Sequence, residues 1–396
     1  MSTAWVSGPD ERRDAEVTAG RRPRVTVLSG FSPRATTAAT EVLLAADRDL
    51  VVVRHDLSAL LEGRLHRFVC TADEVLESES IELVHGCVSC SLREDVLPTL
   101  VRLARTRPAS DQLLVLPEVV EPEHIASACV GCVVDGRPVL DWVRLGTFAA
   151  AIDGETFLAD LTCDDDLGDR GRKTADDDDR AVAGVILRQL EFSDVVLVAP
   201  AQTPDVRLPS LVTALAPWAE LRPVQEAAAI LHRPDRDLDL PSAALRGLEG
   251  LPAAADGTMV FAARRPFHPG RFDAVLPRLI ERTVRGRGHL WLASQPDTVV
   301  AYESHGCGVS MGAAGLWLVS AEPSDWDDVS PNRRTAASLG WDDYFGDRGI
   351  ELVFVDLDGD RTDLRGLLTE CLLTDAELAL GEDGWTAFPD PFAGCF

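Results

Sequence analysis

Five near-continuous apolar runs constrain this chain more than any other feature. They are RVTVLSG (24–30), LVVVRHD (50–56), IELVHG (81–86), QLLVLP (112–117) and VVLVAPA (195–201). None shows the polar–apolar alternation of a half-exposed strand. Runs of this kind belong to strands buried on both faces, as in parallel sheets covered by helices. Helical patterns lie between them, at 92–105 and 181–191. Residues 23–204 therefore read as alternating βα units, a doubly wound, mostly parallel α/β domain. At 396 residues the chain has room for a second domain. From 257 to 396, TMVFAARR, HLWLAS, TVVAYES, LWLVSA and ELVFVDLD are strand-like, and 271–285 and 364–373 are amphipathic helices, which predicts a smaller α+β domain. His268 precedes the first of these helices and is expected to fix its start. Residues 1–22 read as a mobile tail, and 205–256, rich in Pro, Ala and charge, as a connector. The charge run at 163–180 is expected to be a solvated, flexible loop and WTAFPDPFAGCF at the end of the chain an extended tail.

Charge narrows the partners. The chain holds 38 basic and 65 acidic residues, a net −27. Neutralising nucleic-acid phosphates or an anionic membrane needs a basic face, so neither partner is expected. No apolar run reaches the roughly 18 residues that span a bilayer. The first two dozen residues lack the apolar core of a signal peptide. Nine cysteines, an odd number scattered over a large chain, do not form a disulfide framework. A reducing cytoplasm is the expected location. A single lysine, Lys173, beside abundant Arg, Ala, Asp and Gly suggests a GC-rich bacterial source.

The stretch VTVLSGFSPRATTAATEVLL (25–44) reads as strand, tight loop and helix, the frame of a phosphate-binding loop. Its octet from Gly30 to Thr37 stands where G-x-x-x-x-G-K-[ST] would stand. Such a loop works as a nest of backbone N–H groups with a lysine on the outer phosphates. Here the second glycine is Ala35 and the lysine is Thr36. Pro33 removes one N–H and fixes φ. Gly30, Arg34 and Thr37 are what remains of a phosphate site, and GTP with Mg²⁺ is a doubtful cofactor. The remaining candidates are metal ligands. Cys87 and Cys90 form a C-x-x-C, the spacing with which two thiolates share a soft or borderline cation such as Zn²⁺. His85 is adjacent. Glu118, Glu121 and His124, three apart after the QLLVLP strand, and a second C-x-x-C, Cys129 and Cys132, are the other sources that could complete a site. The alternative for each cysteine pair is that of small buried hydrophobes, and for Cys87 and Cys90 also that of a redox pair. His305-Gly-Cys307 is a fainter hint of the same kind. No nucleophile elbow or zinc-protease helix is present.

Taken in order, VTVLSGF, HGCVSCSLREDVLPTL and RQLEFSDVVLV, then RPFHPGRF, GHLWLASQPD, GDRGIELVFVDLD and CLLTDAEL before PDPF, resemble the CobW family of P-loop GTPases from about residue 24 to 393. The resemblance implies a P-loop-type domain, a CobW C-terminal domain, and a role in metal trafficking with a metal ion and a client protein as partners. It also exposes losses. The lysine position is Thr36. The guanine-reading N-K-x-D position is Ala199-Pro200-Ala201-Gln202. The strand end at LLVLPEVVEP holds no acid within the strand. The family's C-x-C-C is Gly86-Cys87-Val88-Ser89-Cys90, with Ser89 in the middle place. The expectation is a zinc-binding pseudo-GTPase without efficient GTP hydrolysis. The alternatives are a weak GTP-hydrolysing metallochaperone with an altered loop, and a structural or regulatory partner of an intact CobW GTPase.

Overall fold

The computed structural model describes residues 21–236, 257–306, 308–322, 324, 326, 329, 331–356 and 361–395. In chain order the strands are β1 (Arg24–Ser29), β2 (Val51–Asp56), β3 (Arg64–Cys70), β4 (Val75–Glu82), β5 (Gln112–Val115), β6 (Val133–Val134), β7 (Arg137–Pro138), β8 (Arg144–Asp153), β9 (Val195–Ala199), β10 (Glu220–Pro223), β11 (Thr258–Ala263), β12 (Thr283–Leu290), β13 (Thr298–His305), β14 (Gly308–Leu316) and β15 (Ile350–Asp356). The described residues fall into two compact units. The first holds 21–158, 165–205 and 218–236, and the second holds 159–164, 206–217 and the chain from 257 onward.

The first unit is built on an eight-stranded sheet in the order β10-β9-β8-β1-β5-β2-β3-β4. From β10 to β2 the strands are parallel; β3 and β4 add an antiparallel edge. β1 is buried along its whole length, as its continuous apolar run requires. One face packs Leu28, Val52, Leu113, Ala151 and Leu197 against the helix Pro33–Ala46 and the 3₁₀ segment Val224–His232. The second unit has an all-antiparallel sheet, β11-β15-β12-β13-β14. Its core joins Phe267, Phe272, Trp291, Tyr302, Phe354 and Trp385. The helix Pro269–Arg282 starts from His268, whose ring lies against Phe388.

Several expectations need correction. IELVHG is not a buried central strand: only its first two residues end β4, an edge strand with alternating glutamates. The charges at Glu77, Glu79 and Glu82 suit an open edge. β8, a central strand, escaped the reading because GTFAAAID is rich in alanine and glycine, which have low strand propensity. In the second unit the strands expected at HLWLAS and LWLVSA lie earlier, at β12 and β14, whose Gly, Ser and Ala content hides them. Residues 220–236, expected as part of a connector, supply β10 and the 3₁₀ segment of the first unit. The charge run at 163–180 is tied down: Arg170 pairs with Asp165, Lys173 with Asp179 and Arg180 with Asp178. Trp385 and Phe392 of the supposed extended tail are core residues. Of the 1–22 tail, residues 1–20 lie outside the described residues.

Phe148 on β8 is fully buried, edge-on to Phe192 at 5.1 Å, and the Arg236 guanidinium lies over both rings. Phe148→Ala is expected to cost about 3–5 kcal/mol, measured by urea denaturation of the full chain.

Candidate functional site

The loop after β1 is closed by its own side chains. Ser32 caps the helix Pro33–Ala46 with extended backbone, and Pro33 takes the first helical position, where a missing N–H costs nothing. The helix therefore starts at the fourth residue of the octet. Ala35 and Thr36 N–H both donate to the Ser32 carbonyl at 3.1 Å, so two donors that would line a phosphate nest are already used. Gly30 approaches β8 so closely that a Cβ would lie 2.4 Å from the Ala151 carbonyl oxygen and 2.8 Å from the Thr36 methyl. At the end of β8 the buried Asp153 carboxylate accepts from Ser32 Oγ at 3.0 Å and from Arg34 Nε at 2.6 Å, with Arg34 Nη2 on its other oxygen. Arg34 Nη2 also donates to the Pro200 carbonyl at 3.1 Å. The Arg34 guanidinium holds the Asp153 carboxyl below its ordinary value against the opposing pull of burial. Arg172 closes the other side: it donates to the Phe31 carbonyl at 3.0 Å and lies 4.7 Å over the Phe31 ring. Thr36 Oγ1 turns back to the Pro33 carbonyl at 3.2 Å, and Thr37 is exposed.

The segment after β9 is held in a similar way. Gly154 N–H donates to the Ala199 carbonyl at 3.1 Å, and Gln202 N–H to the Glu155 carboxylate at 2.8 Å. Gln202 is thus engaged through its backbone, at the position where the family reads guanine with an acid.

The cysteine loop follows β4. Gly86 is pressed onto the turn after β2: a Cβ there would lie 2.1 Å from the Leu60 carbonyl oxygen. Val84 N–H donates to Glu94 Oε2 at 3.1 Å. Cys87, with extended backbone, caps the short helix Val88–Ser91, and its sulfur accepts from Cys90 N–H at 3.3 Å. Both thiols are free and half-buried. The hydrogen bond to Cys87 raises the Cys90 thiol above its ordinary value. His85 is exposed beside them. The other candidates do not join this pair. Glu121 is buried and faces Arg180 at 3.2 Å and Arg188 at 3.7 Å. The Glu118 carbonyl accepts from Gln189, and His124 is exposed on the helix Pro122–Gly131. Cys129 is fully buried, and burial pushes its thiol up to about 12. Cys132 caps the end of that helix. His305 ends β13, and Cys307 lies outside the described residues. Among the described residues no group of three or more His, Cys, Asp or Glu side chains is arranged to hold a metal ion. Cys87 and Cys90 supply two soft donors, and their chemistry suits a thiophilic cation whose remaining ligands come from elsewhere.

A buried polar network missed by sequence reading lies behind this loop. The segment Leu92–Val96 is a π-helical turn, a distortion common at functional positions, and it carries the buried Asp95. Asp95 Oδ2 is 2.8 Å from His55 Nε2, and its other oxygen accepts from Arg67. Arg67 continues to Glu77 at 3.0 Å and Glu79 at 2.6 Å. Burial pushes the Asp95 carboxyl up, but the bonds from His55 and Arg67 outweigh it and leave the group below its ordinary value. His55 Nδ1 is buried without a hydrogen-bond partner. The signal in sequence was the four-residue spacing of Ser91, Asp95 and Thr99, polar residues that are all buried.

A protein from Mycobacterium tuberculosis strain H37Rv named as a zinc chaperone is 33% identical over 359 residues, covering 86% of each chain. The family described as "CobW/HypB/UreG, nucleotide-binding domain" matches residues 25–206, and "Cobalamin synthesis protein cobW C-terminal domain" matches 257–372. The chain belongs to the CobW family. Its first unit is the P-loop NTPase-like domain of that family. A second relative, from Dictyostelium discoideum and named zinc-regulated GTPase metalloprotein activator 1, is 26% identical over 406 residues, covering 93% of this chain and 83% of its own. Among solved structures, Zn(II)-bound YjiA GTPase from E. coli aligns with 89% of this chain and all of its own at 12% identity and a TM-score of 0.35. No helix among the described residues of this CobW protein is long and apolar enough to cross a membrane.

Two outcomes are expected. Asp153 is depressed in the folded protein, so its contribution to stability is complete above the unfolded value of about 3.9 and is lost as pH falls through the lower folded value. Asp153→Asn should cost about 1 kcal/mol at pH 7, discounted because Arg34 is 53% exposed. In urea melts the difference from the unsubstituted protein should shrink progressively as pH falls below the unfolded value of about 3.9. Gly86→Ala should push the cysteine loop off the Leu60 carbonyl, read as faster labelling of Cys87 and Cys90 by a thiol reagent in the folded protein.

Proposed function

We propose that this CobW protein handles zinc as cargo through Cys87 and Cys90 and does so without efficient GTP hydrolysis. The observation that carries the reading is the Arg34–Asp153–Ser32 closure. It puts an internal ion pair across the loop that would cradle phosphates, and the nearby Ala35 and Thr36 N–H groups serve the helix. The lysine position is Thr36, so binding a triphosphate there would require both breaking the ion pair and doing without the cation on the outer phosphates. The names of the two curated relatives support zinc as the metal. The two thiols support a cargo site rather than a structural one, since a structural zinc site is closed with four protein ligands. The missing donors would come from water, from His85 or from a client protein. Transfer would then follow from ligand exchange and relative affinity, with no switch driven by hydrolysis.

The test measures metal and nucleotide on the same purified full-length protein. About one zinc per chain is expected, with affinity reduced at least tenfold by Cys87→Ser or Cys90→Ser. Unchanged binding in both variants would remove the pair from the metal site. Fluorescent GTP with Mg²⁺ should show no saturable binding at micromolar concentration. Binding that is lost on Gly30→Val or Thr37→Ala would instead establish a working altered loop. A protein that takes up neither ligand but retains another CobW protein in a pull-down would be a regulatory partner.

A further inference from the structure

The chain has two C-x-x-C pairs, and in only one are both thiols open to solvent. Cys87 is the cap of a helical turn and Cys90 the third residue within it, with Cys90 N–H on the Cys87 sulfur at 3.3 Å. Residues three apart on a helical turn have Cα atoms about 5 Å apart, inside the range of about 4.4–6.8 Å that a disulfide spans. Both thiols are half-buried, and their neighbours His85, Ser89 and Arg93 are exposed, so a small oxidant has access. The backbone around them is already fixed by Gly86 on Leu60 and by Val84 on Glu94. The second pair differs in access: Cys129 is completely buried within a helix, out of reach of an oxidant in the folded protein.

We infer that Cys87 and Cys90 close into a reversible disulfide, which makes this loop an oxidation site that discharges any metal the pair holds. The oxidant is a small-molecule disulfide such as oxidised glutathione. One cysteine thiolate attacks a glutathione sulfur and expels one glutathione thiolate. The other cysteine thiolate then attacks the sulfur of its partner in the mixed disulfide and expels the second. Two cysteine thiols are oxidised, one glutathione disulfide is reduced, and the two cysteine protons end on the two glutathione thiols. A thiolate ligand is consumed at each sulfur, and Zn²⁺, which has no redox chemistry of its own, leaves unchanged. Only the metal-release half of this inference rests on the proposed zinc function.

Reduced, metal-free full-length protein is incubated with glutathione buffers of rising oxidised fraction, quenched with an alkylating agent, denatured and mapped by mass spectrometry. The expected result is a disulfide-linked peptide spanning 87–90, reversed by dithiothreitol, with Cys129 and Cys132 still recovered as thiols. A persistent glutathione adduct on either cysteine without ring closure, or two free thiols throughout, overturns the inference. In a second arm the zinc-loaded protein is treated with the same buffers and released metal is read with a chromophoric chelator; oxidation should release it. If the disulfide forms and zinc stays bound, the zinc assignment to this pair falls and the oxidation site stands. If zinc binds through the pair and no disulfide forms, the zinc function stands and the oxidation site falls.

Discussion

A buried carboxylate at the end of a central strand governs the first unit of this protein. Asp153 sits where burial penalises charge, and a buried charge is tolerated only when paired and hydrogen-bonded. Its partners come from the loop after β1: the Ser32 hydroxyl and the Arg34 guanidinium. Arginine suits the place because its planar fork meets both carboxylate oxygens, which a lysine ammonium does not. The consequences run outward from that pair. Ser32 becomes the helix cap, Pro33 its first residue, and Ala35 and Thr36 enter the helix. Gly30 must then run against the Ala151 carbonyl, a contact that leaves no room for a side chain. Loop, helix and strand end are thereby held in one arrangement.

The cysteine loop depends on a different kind of support. Within the short segment from His85 to Cys90, Cys90 N–H bonds the Cys87 sulfur and Cys87 N–H the His85 carbonyl. The loop is placed from below by Leu60 and from behind by the helix that begins at Val88. That helix loosens into a π turn, where the buried Asp95 bonds His55 at the end of β2 and Arg67 on β3. The network spans three elements of the sheet edge and the cysteine helix. Asp95 and His55 at its centre are buried, and removing one leaves the other an uncompensated buried polar group. The position of the two thiols is therefore tied to the end of β2 through Asp95, although neither thiol touches His55 or Arg67 in any described hydrogen bond.

The fold was legible because buried parallel strands leave continuous apolar runs, and β1, β2, β5 and β9 do so. Legibility failed where burial was achieved with small residues. β8 is the most central strand by function, since it carries Asp153, yet its Ala and Gly content resembles a helix or a loop. β14 was missed for the same reason. The loss of the lysine and second glycine was plain from Thr36 and Ala35, but their consequence was not: Arg34 appeared as a displaced cation, and only the parallel pairing of β1 with β8 brings it to Asp153, 119 residues away. The two thiols were legible from spacing. What accompanies them was not: Glu118, Glu121 and His124 have the spacing of ligands, but Glu121 lies between two arginines.

The two halves of the site bear on each other through what each lacks. A nucleotide-driven metal carrier can hold its cargo tightly in one state and weakly in the other, because hydrolysis supplies the difference. A carrier whose phosphate loop is shut has one state, so cargo held by a closed four-ligand site would stay there. Under the proposed function, two thiolates with open coordination positions would resolve that conflict. They would bind zinc more weakly than a closed four-ligand site, and an incoming client donor could add before a thiolate leaves. The substitution of Ser89 for a third cysteine acts in the same direction, since a neutral hydroxyl is a poor zinc ligand. On that proposal, loss of the phosphate cation and loss of the middle thiol would act together: the weaker the switch, the more open the metal site must be for the metal to move on.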